Sequence, residues 1–205
     1  ESPSPHRPEA RRTEICEAAV RMIRGAEYSN AATVEFIVDS ENRFYFIEVN
    51  ARIQVEHPVS EMITGVDLIK SQIEVAAGEK LSFRQEDLKS IGHAIECRIN
   101  AEDPDTFAPS PGVITELHMA GGTGVRVDSG IFGGGRVPAH YDPLIAKLIV
   151  HAPTRAQAVA KMRRALGETI IAGIRTNIPL HQRILEHPAF EEGRISTKFL
   201  EELPT

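Results

Sequence analysis

The sequence has no tryptophan, three tyrosines and two cysteines, Cys16 and Cys97. With so few stacking rings and no basic run, it lacks the footprint of a nucleic-acid binder. Two cysteines cannot form a dense disulfide scaffold, and both lie in apolar-patterned segments, which suits a reducing compartment. No stretch approaches the roughly 18 consecutive apolar residues that read as a membrane span. What is present describes a folded chain: 205 residues, 41% hydrophobic and 25% charged, with 23 Lys+Arg against 29 Asp+Glu. Such a composition is too apolar and too weakly charged for disorder, and its length allows one large or two small domains.

Helical spacing of Ile15, Ala18, Ala19, Met22, Ile23 and Ala26 predicts a helix over 8–28, with Cys16 on its core-facing stripe. Residues 33–38 and 43–49 read as a β-hairpin. A helix over 66–77 follows, with Thr64 and Asp67 as a capping box and Gly78 as its stop. The polar stretch 80–89 is the expected boundary, giving domains over 1–90 and 91–205. Beyond it strands are expected over 92–100, 112–119, 124–128 and 144–151, then helices over 155–166, 179–185 and 197–203. Helices and mostly antiparallel strands in separate blocks make the fold class α+β.

The most informative stretch is Glu48-Val49-Asn50-Ala51-Arg52-Ile53-Gln54-Val55-Glu56. Its strict alternation, read as an extended chain, places Glu48, Asn50, Arg52, Gln54 and Glu56 on one face. An ordinary half-exposed strand would look similar, but this row contains no Lys, Ser or Thr filler. The hairpin adds Glu35: if Arg43 pairs with Ser40 around a two-residue turn, Glu35 lies directly opposite Glu48, and a four-residue turn displaces the pair by one step but keeps them on the same face. Two carboxylates about 5 Å apart repel by about 3 kcal/mol at an effective dielectric near 20. A divalent cation resolves the repulsion, and the oxygen donors of Glu35, Glu48 and Asn50 suit Mg²⁺ or Mn²⁺ beside a phosphate. Arg98 alternates on a second strand, where it can bind an anion or simply pair with Glu96 at the surface. Gly133-Gly134-Gly135 reads as a turn because no phosphate-loop motif surrounds it, and His57 before Pro58 reads as structural.

The run Phe46-Ile47-Glu48-Val49-Asn50-Ala51-Arg52 resembles the metal-binding E-x-N-x-R strand of the ATP-grasp superfamily. Its continuation Ile53-Gln54-Val55-Glu56-His57-Pro58-Val59-Ser60-Glu61 is similar to the biotin carboxylase signature. So are residues 61–68, 92–104, 109–112, 141–147 and 173–177. The resemblance implies the C-terminal part of an ATP-grasp domain followed by a strand-rich biotin carboxylase C-terminal domain. It also implies a reaction: ATP activates bicarbonate as carboxyphosphate, and CO₂ passes to biotin on a carrier protein. Glu35 and Glu48, with Asn50, would then hold the metal on the ATP phosphates, and Ile37 and Ile47 would line the adenine pocket. Arg52 would hold bicarbonate, Gln54 and the Val55 backbone would orient it, and Glu56 would be the base. Arg98 would contact bicarbonate and stabilise the biotin enolate.

The same resemblance implies a biotin carboxyl carrier protein and a carboxyltransferase as partners, as in acetyl-CoA, propionyl-CoA or pyruvate carboxylases. It implies a homodimer contacted near Thr123 and Arg126, and a bacterial cytoplasm, mitochondrial matrix or plastid as the setting. The chain begins part-way through the family pattern, without the glycine-rich lid and lysines that precede these motifs. Glu1 is therefore expected to be an interior cut, and the isolated chain to have little or no carboxylation activity. The alternatives are another ATP-grasp carboxylate–amine ligase and a non-catalytic interaction or dimerisation module.

Overall fold

The computed structural model describes residues 1–203. The chain is α+β and divides into two compact units, one of Pro3–Ser90 and one of Glu1–Ser2 with Ile91–Thr205.

In the first unit, helix α1 (Glu9–Gly25) follows Pro8 as its N-terminal boundary residue. It stops at Gly25 rather than running to residue 28. The Ala26 and Glu27 N–H groups close on Met22 and Arg24 carbonyls, and Glu27 takes a left-handed φ of 51°. No residue of α1 is buried, and Cys16, expected in the core, is exposed. Helical periodicity tells which residues share a face, not whether that face is covered. Strands β1 (Thr33–Val38) and β2 (Phe44–Asn50) pair antiparallel, with Phe36 edge-on to Phe44 and Phe46 at 5.4 and 6.4 Å.

Helix α2 (His57–Thr64) was not anticipated. Pro58 in its first turn and Gly65 at its C-terminal end, with φ of 73°, are the signals that bound it. Helix α3 (Leu68–Ala76) therefore starts two residues later than expected. Asp67 caps it alone, accepting from the Lys70 N–H at 2.8 Å, because Thr64 already belongs to α2.

The second unit is built on an antiparallel sheet of order β3-β8-β6, with β3 at His93–Asn100, β6 at Val125–Ser129 and β8 at Leu144–Ala152. Between them, the single strand expected over 112–119 is two pieces, β4 (Gly112–Val113) and β5 (Glu116–His118). The backbone changes partner at Ile114 and Thr115. β4 pairs with β7 (Arg136–Val137) and β5 with β9 (Ile170–Ala172), neither of which periodicity revealed.

Helix α4 (Arg155–Glu168) is capped by Thr154 and buries Ala158, Met162, Ala165 and Leu166, a 4-3-1 spacing that lays one stripe on the sheet. Ile95, Cys97 and Ile99 of β3 and Leu148 and Val150 of β8 supply the facing core. Burial there pushes the Cys97 thiol up to about 12, so it stays protonated and inert. Helices α5 (Ile178–Glu186) and α6 (Pro188–Glu191) follow, and the expected closing helix is a short 3₁₀ turn at Phe199–Glu202.

Candidate functional site

Glu35 and Glu48 lie directly opposite each other in the hairpin. The route to that pairing is neither the two-residue nor the four-residue turn that the sequence allowed. Near the turn Val38 opposes Phe44, one step out of the required register. Asn42 at φ of 62° closes the loop, and Asp39 Oδ1 accepts from the Glu41 and Arg43 N–H groups at 2.9 Å each. A bulge then leaves Ile47 without a partner on β1 and restores the register, which aligns the two acids.

Asn50 joins them. Its Nδ2 donates to Glu35 Oε1 and to Glu48 Oε1, both at 2.9 Å, so one amide nitrogen bridges two carboxylates. Arg52 continues the network, donating from Nη1 to Gln54 Oε1 at 2.8 Å and to the Ile53 carbonyl at 3.1 Å, and from Nη2 to Asn50 Oδ1 at 3.4 Å. Gln54 Nε2 returns to Glu35 Oε1 at 3.5 Å. Glu35, Glu48, Asn50, Arg52 and Gln54 thus form one closed hydrogen-bonded cluster.

The single extended row over 48–56 is not what carries them. β2 ends at Asn50, and the Arg52 N–H turns back to the Asn50 carbonyl at 2.8 Å. The Gln54 carbonyl then accepts from the His57 N–H at 3.3 Å and lies 2.7 Å from His57 Nδ1. The chain has already begun the turn into α2, so Glu56 and Val55 sit in that turn, with Glu56 exposed at the helix boundary. His57 keeps its structural reading: its Nε2 is 3.9 Å from Glu61 Oε2, and Glu61 Oε1 accepts from the Leu68 N–H at 2.7 Å. Ile37 lies two residues beyond Glu35 on β1, and both Ile37 and Ile47 are half exposed.

In the second unit Arg98 projects from the exposed face of β3, paired across the ladder with Lys147. Arg126 grips Asp128 with two bonds of 2.7 and 2.8 Å, and Lys147 approaches it at 3.5 Å. Burial works against the Asp128 charge, yet these two cations hold its carboxyl below the ordinary range. Gly133-Gly134-Gly135 is a turn, closed by the Gly135 N–H on the Phe132 carbonyl at 2.9 Å.

The donor set of the cluster fits a hard cation. It offers two opposed carboxylates and an amide, and among the described residues no group of three or more His, Cys, Asp or Glu forms a metal cage. Magnesium held by one or two carboxylates keeps its other positions for phosphate oxygens and water. The Asn50 amide now supplies the positive hydrogens that a cation would replace.

Comparison with known proteins decides the family. Residues 96–202, more than half of the chain, match the family described as biotin carboxylase C-terminal domain. The chain belongs to the biotin carboxylase family. Residues 1–84 match the carbamoyl-phosphate synthase L chain ATP binding domain. A biotin carboxylase of Haemophilus influenzae is 54% identical over 201 residues, covering 98% of this chain and 45% of its own length. The chloroplastic biotin carboxylase of Arabidopsis thaliana is 50% identical over 201 residues, covering 98% of this chain and 37% of its own. Among solved structures, the biotin carboxylase domain dimer of Hydrogenobacter thermophilus 2-oxoglutarate carboxylase superposes with a TM-score of 0.95 at 47% identity. That match covers 98% of this chain and 45% of the other, and that protein was solved with MgADP, ADP and bicarbonate. The chain spans less than half the length of these biotin carboxylase relatives. No helix among the described residues is long and apolar enough to cross a membrane.

Two residues that bear on Arg98 were given no role by the sequence, although Asn177 ends the 173–177 stretch. Asn177 and His181 of α5 bond the backbone of Arg98. An asparagine just before Ile178-Pro179 reads as a helix cap, and nothing in its spacing points to a strand 77 residues away.

Proposed function

We propose that this chain carries the metal, bicarbonate and enolate-stabilising groups of an ATP-dependent biotin carboxylase, which carboxylates biotin on a carrier protein through carboxyphosphate. The observation that supports it most is the Glu35–Asn50–Glu48 bridge with Arg52 and Gln54 closing the ring. Glu35, Glu48 and Asn50 would hold Mg²⁺ or Mn²⁺, which when bound neutralises phosphate charge and polarises the transferred phosphoryl group. Ile37 and Ile47 offer apolar surface beside the acids for an adenine ring.

The protein's own residues supply the rest. Arg52, tethered by Gln54, the Ile53 carbonyl and Asn50, holds a guanidinium fork ready for planar bicarbonate. Gln54 and the Val55 backbone orient that anion, and Glu56 removes its proton as it attacks phosphorus. On the second unit, Arg98 carries the positive charge for bicarbonate and for the enolate oxygen of biotin. The domains are assigned as 1–90 for the ATP-grasp part and 91–205 for the biotin carboxylase C-terminal part. The reading carries a biotin carboxyl carrier protein and a carboxyltransferase as partners, a homodimer, and a bacterial cytoplasm, with a plastid as the setting for a plant sequence.

The test is a chimera in which this chain replaces the matching 201 residues of the Haemophilus influenzae enzyme. Bicarbonate-dependent ATP hydrolysis should appear in the chimera and fall by about 100-fold or more in Glu56→Ala, the scale of a lost general base. An active chimera in which Glu56→Ala leaves bicarbonate dependence intact contradicts the assignment and favours a carboxylate–amine ligase.

A further inference from the structure

β3 is the outer edge of its sheet, so alternate residues along it turn their N–H and C=O groups away from β8. Ser2 covers this edge at Ala94 through two bonds of 2.9 Å. At the other end the edge is covered by side chains of α5. Asn177 Oδ1 accepts from the Asn100 N–H at 2.9 Å, and its Nδ2 donates to the Arg98 carbonyl at 3.0 Å. The Asn177 N–H donates to the Asn100 carbonyl at 3.2 Å. One turn later His181 Nε2 lies 2.8 Å from the same Arg98 carbonyl. A carbonyl only accepts, so His181 carries its proton on Nε2 and the Arg98 oxygen receives two bonds.

Asn177 stands at the N-cap position of α5, yet its side chain makes no bond to that helix. The whole amide is directed at the strand under Arg98, and the residue is only 5% exposed. This is also where the β3–β8 register breaks, between Ile99 and Asn100. Burial pushes the His181 imidazole below its ordinary range, against the pull of the Arg98 carbonyl and Glu102, which keeps it a neutral donor.

We propose that Asn177 and His181 are positioning residues for Arg98: they fix the backbone beneath it and thereby the place where its guanidinium meets an anionic substrate. This rests on the reading of Arg98 given above. It predicts that the pair acts through Arg98 and not merely through the stability of α5.

The test reads Arg98 itself, by NMR of the isotope-labelled 205-residue chain. Asn177→Ala and His181→Ala should move the Arg98 Nε–H resonance and increase its motion. Asn177→Ala should also speed exchange of the Asn100 amide by about tenfold or more. His181→Gln, which returns a donor nitrogen at a similar reach, should restore the Arg98 signal. Thr154→Ala, which weakens the cap of α4 without touching the clamp, should leave it in place. An Arg98 signal unchanged in both alanine variants, or moved equally by Thr154→Ala, overturns the proposal. If Asn177→Ala does not fold, His181→Ala and His181→Gln carry the comparison alone. Failure of the Arg98 assignment is distinguishable, because it would show as Arg98→Ala keeping bicarbonate-dependent ATPase in the chimera while these spectra stay as predicted.

Discussion

Asn50 donates both of its amide hydrogens to a pair of carboxylates that strand register places face to face. Removing it leaves like charges opposed with nothing between them. Asn50→Ala should destabilise the hairpin by about 1 kcal/mol, since Glu48 is exposed and solvent screens part of the repulsion. Glu48→Gln should do the reverse in metal-free buffer, raising the melting temperature slightly while weakening Mn²⁺ binding. Melting curves with EDTA and with excess Mn²⁺ check both signs. The opposition of Glu35 and Glu48 was legible in the sequence because strand pairing is arithmetic on residue numbers. The arithmetic worked through a different turn and a compensating bulge at Ile47, and neither has a compositional signal. The extended row through Glu56 was misread because alternation persists in a sequence even where a backbone bond, here Arg52 to Asn50, has ended the strand.

At the scale of elements, capping chemistry separates what was read well from what was not. Thr154 was placed correctly because one polar residue precedes one helical stripe. Thr64 and Asp67 were merged into one start because α2 ends where α3 is about to begin. Asp67→Ala should cost about 1 kcal/mol, and Thr64→Ala less, in urea unfolding. β7 and β9 were invisible because two- and three-residue strands show no period. Their pairing leans on Gly173, whose φ is 93° and where a Cβ would fall 2.2 Å from the Val113 carbonyl and 2.9 Å from the Thr115 N–H. Gly173→Ala should destabilise by more than about 2 kcal/mol, read as a lower urea midpoint.

For the molecule as a whole, the titrating groups set an acid limit. Thr106 and Asp105 N–H groups on the Asp103 carboxylate, with Arg175 behind them, lower it from 3.8 to about 2 against the effect of burial. The unfolded chain binds that proton more readily, so the contribution is complete above 3.8 and is lost as pH falls through about 2. His181 is lowered from 6.5, so its contribution is present above 6.5 and declines as pH falls below it. Stability against pH should therefore show two acid steps, the upper one removed by His181→Gln and the lower one reduced by Asp103→Asn but not abolished. Against the effect of burial, His93 and Arg155 hold Glu1 at about 2 as well, and Asp128 is also lowered. A curve without those steps, or with stability rising on acidification, contradicts the assignment.

Manganese(II) titrated into the isotope-labelled chain in the presence of ADP tests the central claim most directly, because paramagnetic broadening reports proximity even when binding is weak. The Asn50 side-chain amide and the Glu35 and Glu48 backbone resonances should broaden first, and Glu35→Gln or Glu48→Gln should abolish the effect. Broadening centred elsewhere, or unchanged in both variants, would contradict a metal–nucleotide site at the opposed acids.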